Sequence, residues 1–161
     1  MKRYYKQQMN CVRCPQEKTV IAQKRLDGVL IEPPAATSCV DNKPFSQAQY
    51  QVQTLFDQYM FILPEGNHKF IAKIFNMLTK EEEKLCSLKY KVIVRQCAPY
   101  RMKNTKLRIK CDLGNIWGSI CTFSCKNKGI VSHQIPVICD DDLEWTGHEP
   151  TCHNTHSKKI I

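Results

Sequence analysis

Apolar and polar residues alternate with period two in several short runs, which predicts strands with one buried face rather than helices. Tyr50, Val52 and Thr54 alternate with Gln49, Gln51 and Gln53, and Tyr59, Phe61 and Leu63 form a second set. Phe70, Ala72 and Ile74 make a third, and Tyr90, Val92 and Val94 a fourth. Turn formers separate the runs: Asp27-Gly28, Pro33-Pro34, Asp41-Asn42-Lys43-Pro44 and Pro64-Glu65-Gly66-Asn67. This spacing predicts an antiparallel sandwich of about seven strands over the first half of the chain. One segment departs from the pattern. Thr79 followed three residues later by Glu82 has capping-box spacing, and Lys80 to Lys84 is fully charged, which predicts a helical turn with a solvated face between two strands.

Past residue 96 the alternation fades, leaving Leu107 and Ile109 set between Lys106, Arg108 and Lys110. Order in this half must come from another source, because a segment so short buries too little apolar surface to fold on its core alone. Cysteine supplies it. Six of the ten cysteines lie between Cys97 and Cys152, enough for three bridges. So dense a cysteine pattern belongs to an oxidising, extracellular compartment. The start of the chain, Met1-Lys2-Arg3-Tyr4-Tyr5-Lys6, lacks the apolar run of an export signal, so the chain reads as a fragment or truncated isoform of a larger secreted protein. No stretch is apolar over the length needed to span a bilayer. Residues His153 to Ile161 carry no core pattern and are expected to form a flexible tail.

The net charge of +9 divides into +6 before residue 97 and +3 after it. Such a balance favours anionic partners. Arg101, Lys103, Lys106, Arg108 and Lys110 place five cations within ten residues. In an extended strand the last three share a face opposite Leu107 and Ile109, a ridge suited to the sulfates of a heparan-type glycosaminoglycan. Neither nucleic acid nor membrane insertion by this chain is expected. Cys11-Val12-Arg13-Cys14 has the spacing of a redox motif or half a zinc site, but no second pair completes either, so bridges to separate partners are expected. Asp140-Asp141-Asp142 with Glu144 lacks the spaced oxygen ligands and central glycine of a calcium loop and reads as a solvated turn. His153 and His156 fall in the expected tail. No nucleophile elbow, zinc-protease helix or phosphate-cradling glycine loop is present, and only six glycines occur in all. Catalysis, metal and cofactor are therefore not expected.

The residues from Cys97 to Cys152 resemble a sushi domain, or complement control protein module, of the six-cysteine selectin type. The resemblance rests on Cys97-Ala98-Pro99, the extra Cys111, the Gly118-Ser119-Ile120-Cys121-Thr122-Phe123-Ser124-Cys125 run, Cys139, and the closing Trp145-Thr146-Gly147 with Pro150-Thr151-Cys152. It implies the pairs Cys97 with Cys139, Cys125 with Cys152, and Cys111 with Cys121. The first half is similar to a hyalin repeat, an immunoglobulin-like module. The marks are Cys14-Pro15, Pro34-Ala35-Ala36 with Asp41-Asn42, the Pro64 to Phe70 segment, and Cys86 leading into Tyr90 to Val94. That likeness implies Cys14 with Cys86 and leaves Cys11 and Cys39 as a second bridge, although four cysteines allow three pairings.

The expectation is an all-β protein: an immunoglobulin-like β-sandwich over residues 12–96, a small disulfide-rich sushi module over 97–152, and a tail over 153–161. The two modules would join near Arg95 and Gln96. What the resemblance implies is noncatalytic adhesion or protein-protein recognition as part of a mosaic secreted or cell-surface protein. The alternative is a noncatalytic fragment of a complement-like regulator or modular secreted protease.

Overall fold

A computed structural model describes residues 11–32, 34–54 and 61–154 of the chain. The regular elements among them are all β-strands. Of the alternating sets, Tyr59 lies outside the described residues, as does Pro33 of the predicted turns. The chain divides into two compact units. One runs to Val20 and from Leu30 to Val92; the other comprises Ile21–Val29 and the residues from Ile93 onward.

In the first unit, β1 (Val12–Arg13) pairs antiparallel with β4 (Thr37–Ser38). The main sheet runs in the order β2 (Lys18–Ile21), β8 (Glu81–Ile93), β7 (Gly66–Asn76), β5 (Tyr50–Thr54), and β3 (Gly28–Ile31) pairs with β6 (Phe61–Pro64). Period two fixes which side chains go inward. Ala72 stands opposite Cys86, Phe70 opposite Leu88, and Gly66 opposite Val92, and Ala72, Ile74, Cys86, Leu88, Tyr90 and Val92 are all buried. Val12, Ala36, Tyr50, Ile74 and Cys86 form one cluster with Phe45 and Val52 packed against it. The bridge Cys14–Cys86 runs into that cluster from the chain start, and Cys11–Cys39 joins the segments around β1 and β4.

The helical turn expected at Thr79 to Glu82 is not formed. Residues 77–80 make the tight turn of a long hairpin, and Glu81, Glu82 and Glu83 lie in β8. Asn76 decides this outcome. Its side-chain carbonyl accepts hydrogen bonds from the backbone of Leu78 and Thr79 at 3.0 and 3.2 Å, an Asx-type turn. Lys80 takes a left-handed φ of 64° that a right-handed helix forbids. The glutamates then find partners across the hairpin: Lys73 Nζ lies 2.7 Å from Glu82, and Asn76 Nδ2 donates to Glu83 at 2.9 Å.

The second unit holds a sheet in the order β13 (Trp145–Thr146), β12 (Val137–Cys139), β10 (Ile120–Cys125), β9 (Leu107–Cys111). Beside it, β11 (Ile130–Val131) pairs with β14 (Cys152–His153). His153 thus belongs to a ladder, opposite Ile130, rather than to a tail; residues 155–161, with His156, lie outside the described residues. Leu107, Cys121, Phe123 and Val137 form the core, ringed by Tyr100, Met102, Ile109, Val131 and Trp145. Tyr100 meets both Phe123 and Trp145 edge-on at 5.8 Å, and the indole N–H of the half-buried Trp145 donates to the Ala98 carbonyl at 2.7 Å, so the polar end of the ring is satisfied. Bridges Cys97–Cys139, Cys111–Cys121 and Cys125–Cys152 cross this core. Ile21–Val29, which the sequence places within residues 12–96, clusters with this unit. Its backbone finds partners there: Ala22 N–H donates to Ile93 and Arg25 N–H to Trp117, both at 2.9 Å, which meets the requirement that backbone polar groups be paired.

Candidate functional site

Strand β9 is where the ridge of cations becomes geometry. Leu107 is fully buried and Ile109 half-buried, so Arg108 and Lys110 between them must face outward, and both are exposed. The antiparallel register with β10 then sets their neighbours. Lys110 stands opposite Thr122 and Arg108 opposite Ser124, while Ile109 faces Phe123 and Cys111 faces Cys121 on the inner side. One step further along, Lys126 N–H donates to the Lys106 carbonyl at 2.9 Å. This adds a second exposed cation beside Lys106. Thr122, Ser124 and Lys126 are contributions the sequence reading missed; the period-two pattern in the Cys121 to Cys125 run marks Thr122 and Ser124 as sharing a face, but only the pairing sets them and Lys126 beside the cations. Arg101 and Lys103 are exposed in the segment leading to β9 and are not part of the strand face.

Two acids of this unit are engaged elsewhere. Glu149 accepts from the backbone of Lys103 and Asn104 at 2.7 and 2.9 Å, which holds the turn before β9. Asp112 accepts from Arg25 at 2.7 Å, from Ile120 N–H at 2.8 Å and from the Ser119 hydroxyl at 3.2 Å. The Arg25 guanidinium, followed by that backbone N–H, holds its carboxyl down at about 2, because each partner favours the charged form.

Arg25 belongs to a second cluster in the same unit. Its guanidinium also donates to the Gly118 carbonyl at 2.6 Å. Next to it, Lys24 Nζ lies 2.6 Å from Asp141, and the Trp117 indole N–H donates to the same carboxylate oxygen at 3.0 Å. Arg95 lies over the Trp117 ring at 4.4 Å and Lys24 at 5.5 Å, cation-π positions on an electron-rich face. The Asp141 carboxyl is lowered, first by its hydrogen bond from Lys24. The turn itself is closed by Asp140, which accepts from the backbone of Asp142 and Glu144 at 3.0 Å. These charges satisfy one another and form structure rather than an open site.

A third surface lies on the outer side of the β7–β8 hairpin. Lys69 stands directly opposite Lys89, Asn67 opposite Lys91, Ile71 opposite Ser87, and Lys73 opposite Leu85. Ile71 is 52% exposed and Leu85 64%. Two like charges facing each other across strands oppose pairing, and two large apolar side chains in water contribute little to the fold.

All ten cysteines are in bridges; of the three pairings open to the first four, the chain forms Cys11–Cys39 with Cys14–Cys86. No family model matches the chain, and no solved structure matches it. Among curated proteins it is similar to Sushi repeat-containing protein SRPX of Homo sapiens, with 30% identity over 90 residues, 55% of this chain and 19% of that protein. The counterparts of Rattus norvegicus and Mus musculus match with the same identity and coverage. The chain thus spans 19% of the length of these relatives. Together with the bridges, this likeness supports a sushi-like module in the chain.

Proposed function

We propose that this chain is a noncatalytic, extracellular recognition segment of a mosaic protein, with a hyalin-repeat-like first unit and a sushi second unit, that adheres to protein partners. The observation that carries the reading is the outer face of the β7–β8 hairpin. Ile71 and Leu85 stand exposed with Lys69, Lys89 and Lys91 on one side of them and Lys73, paired with Glu82, on the other, apolar side chains flanked by charged ones, which is the layout of protein-protein contact surfaces. The inner face of the same strands is committed to the core, so a polar outer face would cost the fold nothing. That it is apolar and basic instead points to a partner with an acidic rim. The sushi likeness of the relatives, and bridges that close all ten cysteines, support an extracellular site of action.

The test is binding of the purified, oxidised chain to the surface of intact cells and to deposited matrix. The double variant Ile71→Glu, Leu85→Glu is expected to bind at least ten-fold more weakly than the parent, with no change in its bridges. Equal binding by parent and variant would remove this face as the contact surface.

A further inference from the structure

We propose that the outward face of β9 and β10 is a binding site for a linear sulfated polysaccharide. This site is separate from the hairpin face and does not rest on the role proposed for it. It comprises Lys106, Arg108 and Lys110 on one strand and Thr122, Ser124 and Lys126 along the other, in register.

The shape of the strip selects a ligand. Alternate residues of a strand lie about 7 Å apart and neighbouring strands about 5 Å apart. Three rows therefore make a strip about 13 Å long and one strand pair wide, the footprint of an extended chain of sugars rather than of a folded surface. Its chemistry selects further. Each row offers a cation, on β9 or at Lys106 just before it, and the opposite position offers a hydroxyl or a second cation. A sulfate ester has a full negative charge and three outward oxygens, so it takes a guanidinium or ammonium together with a hydroxyl donor. None of the four cations has an acidic partner among the described residues. Asp112, just beyond Lys110 in the chain, is occupied by Arg25, and Glu149 by the backbone of Lys103 and Asn104, so neither pairs with the strip.

Other anionic partners fit less well. Each of the six strip residues is polar, the exposed apolar pair Ile120 and Ile138 lies beyond its Lys110–Thr122 end, and the aromatic Phe123 points into the core. A protein partner gains most from an apolar centre, which the strip lacks. A single-stranded nucleic acid needs aromatic faces on which bases stack, and a peripheral membrane contact needs apolar side chains to bury below the headgroups.

The experiment titrates the oxidised chain with a heparin octasaccharide by calorimetry, at two salt concentrations. The comparators are a hyaluronan octasaccharide, which has carboxylates but no sulfates, phosphatidylserine vesicles, and a short single-stranded DNA. Heparin is expected to bind at least ten-fold more tightly than any of the three, and binding should weaken as salt rises. Arg108→Ser with Lys110→Ser should lose at least ten-fold, whereas Lys69→Ser with Lys89→Ser should stay within two-fold of the parent. Near-UV circular dichroism and an absence of free thiols confirm that each variant is folded. A strip variant that stays folded and binds heparin within two-fold of the parent overturns the proposal, and so does hyaluronan, vesicle or DNA binding equal to heparin.

Discussion

Gly118 holds its place by two constraints at once. Its φ of 86° lies in the left-handed region, and a Cβ there would sit 2.8 Å from Arg25 Cγ and 2.9 Å from Lys24 Cγ. Gly118→Ala should therefore destabilise the second unit by about 1–3 kcal/mol, read as a lower urea midpoint of the oxidised chain. Asp112 gives a pH signature at the same cluster. Its folded pKa of about 2 is below the unfolded value of about 3.9. Its contribution to stability is thus fully present above about pH 4 and is lost as pH falls towards 2. Asp112→Asn should flatten the loss of stability across that window, and a carboxyl titration by NMR should place the parent group well below the usual range. Lys24 and Arg25 sit in no motif, so nothing in the sequence linked them to Asp141 and Asp112. Separations of 117 and 87 residues leave no local pattern to read.

At the level of elements, the long hairpin shows which local signals were legible. The alternation in Phe70, Ala72, Ile74 and in Tyr90, Val92 identified strands correctly, because a sheet with one buried face imposes period two on its sequence. Thr79 and Glu82 misled for an equally physical reason. Capping-box spacing reports only what an isolated segment prefers, and here the turn at Asn76 and cross-strand partners for Glu82 and Glu83 override it. Asn76→Ala removes both turn hydrogen bonds and should cost about 1–3 kcal/mol, with the faster amide exchange confined at first to the hairpin end. The β9–β10 strip was half legible. Lys106, Arg108 and Lys110 declared a common face, whereas the hydroxyls and Lys126 beside them depend on a register that pairing alone sets.

On the scale of the whole molecule, stability is tied to five cross-links. In the chain-entropy account a bridge stabilises more when the loop that it closes is longer. Cys14–Cys86 spans 72 residues and Cys111–Cys121 only 10. Replacing the first pair by serine should cost about 4 kcal/mol and replacing the second about 3 kcal/mol, an order that urea denaturation of the two variants checks. Full reduction should unfold the second unit and abolish the near-UV signal of Trp117 and Trp145. The cysteine positions and the alternating faces were determined by the sequence alone, because covalent partners are counted by residue type and a strand repeats every two residues. The choice among pairings of Cys11, Cys14, Cys39 and Cys86, the docking of Ile21–Val29 within the second unit, and the company each cation keeps were decided only in three dimensions. Those outcomes depend on which distant groups packing brings within reach, and close packing and hydrogen bonding act through space with no memory of distance along the chain.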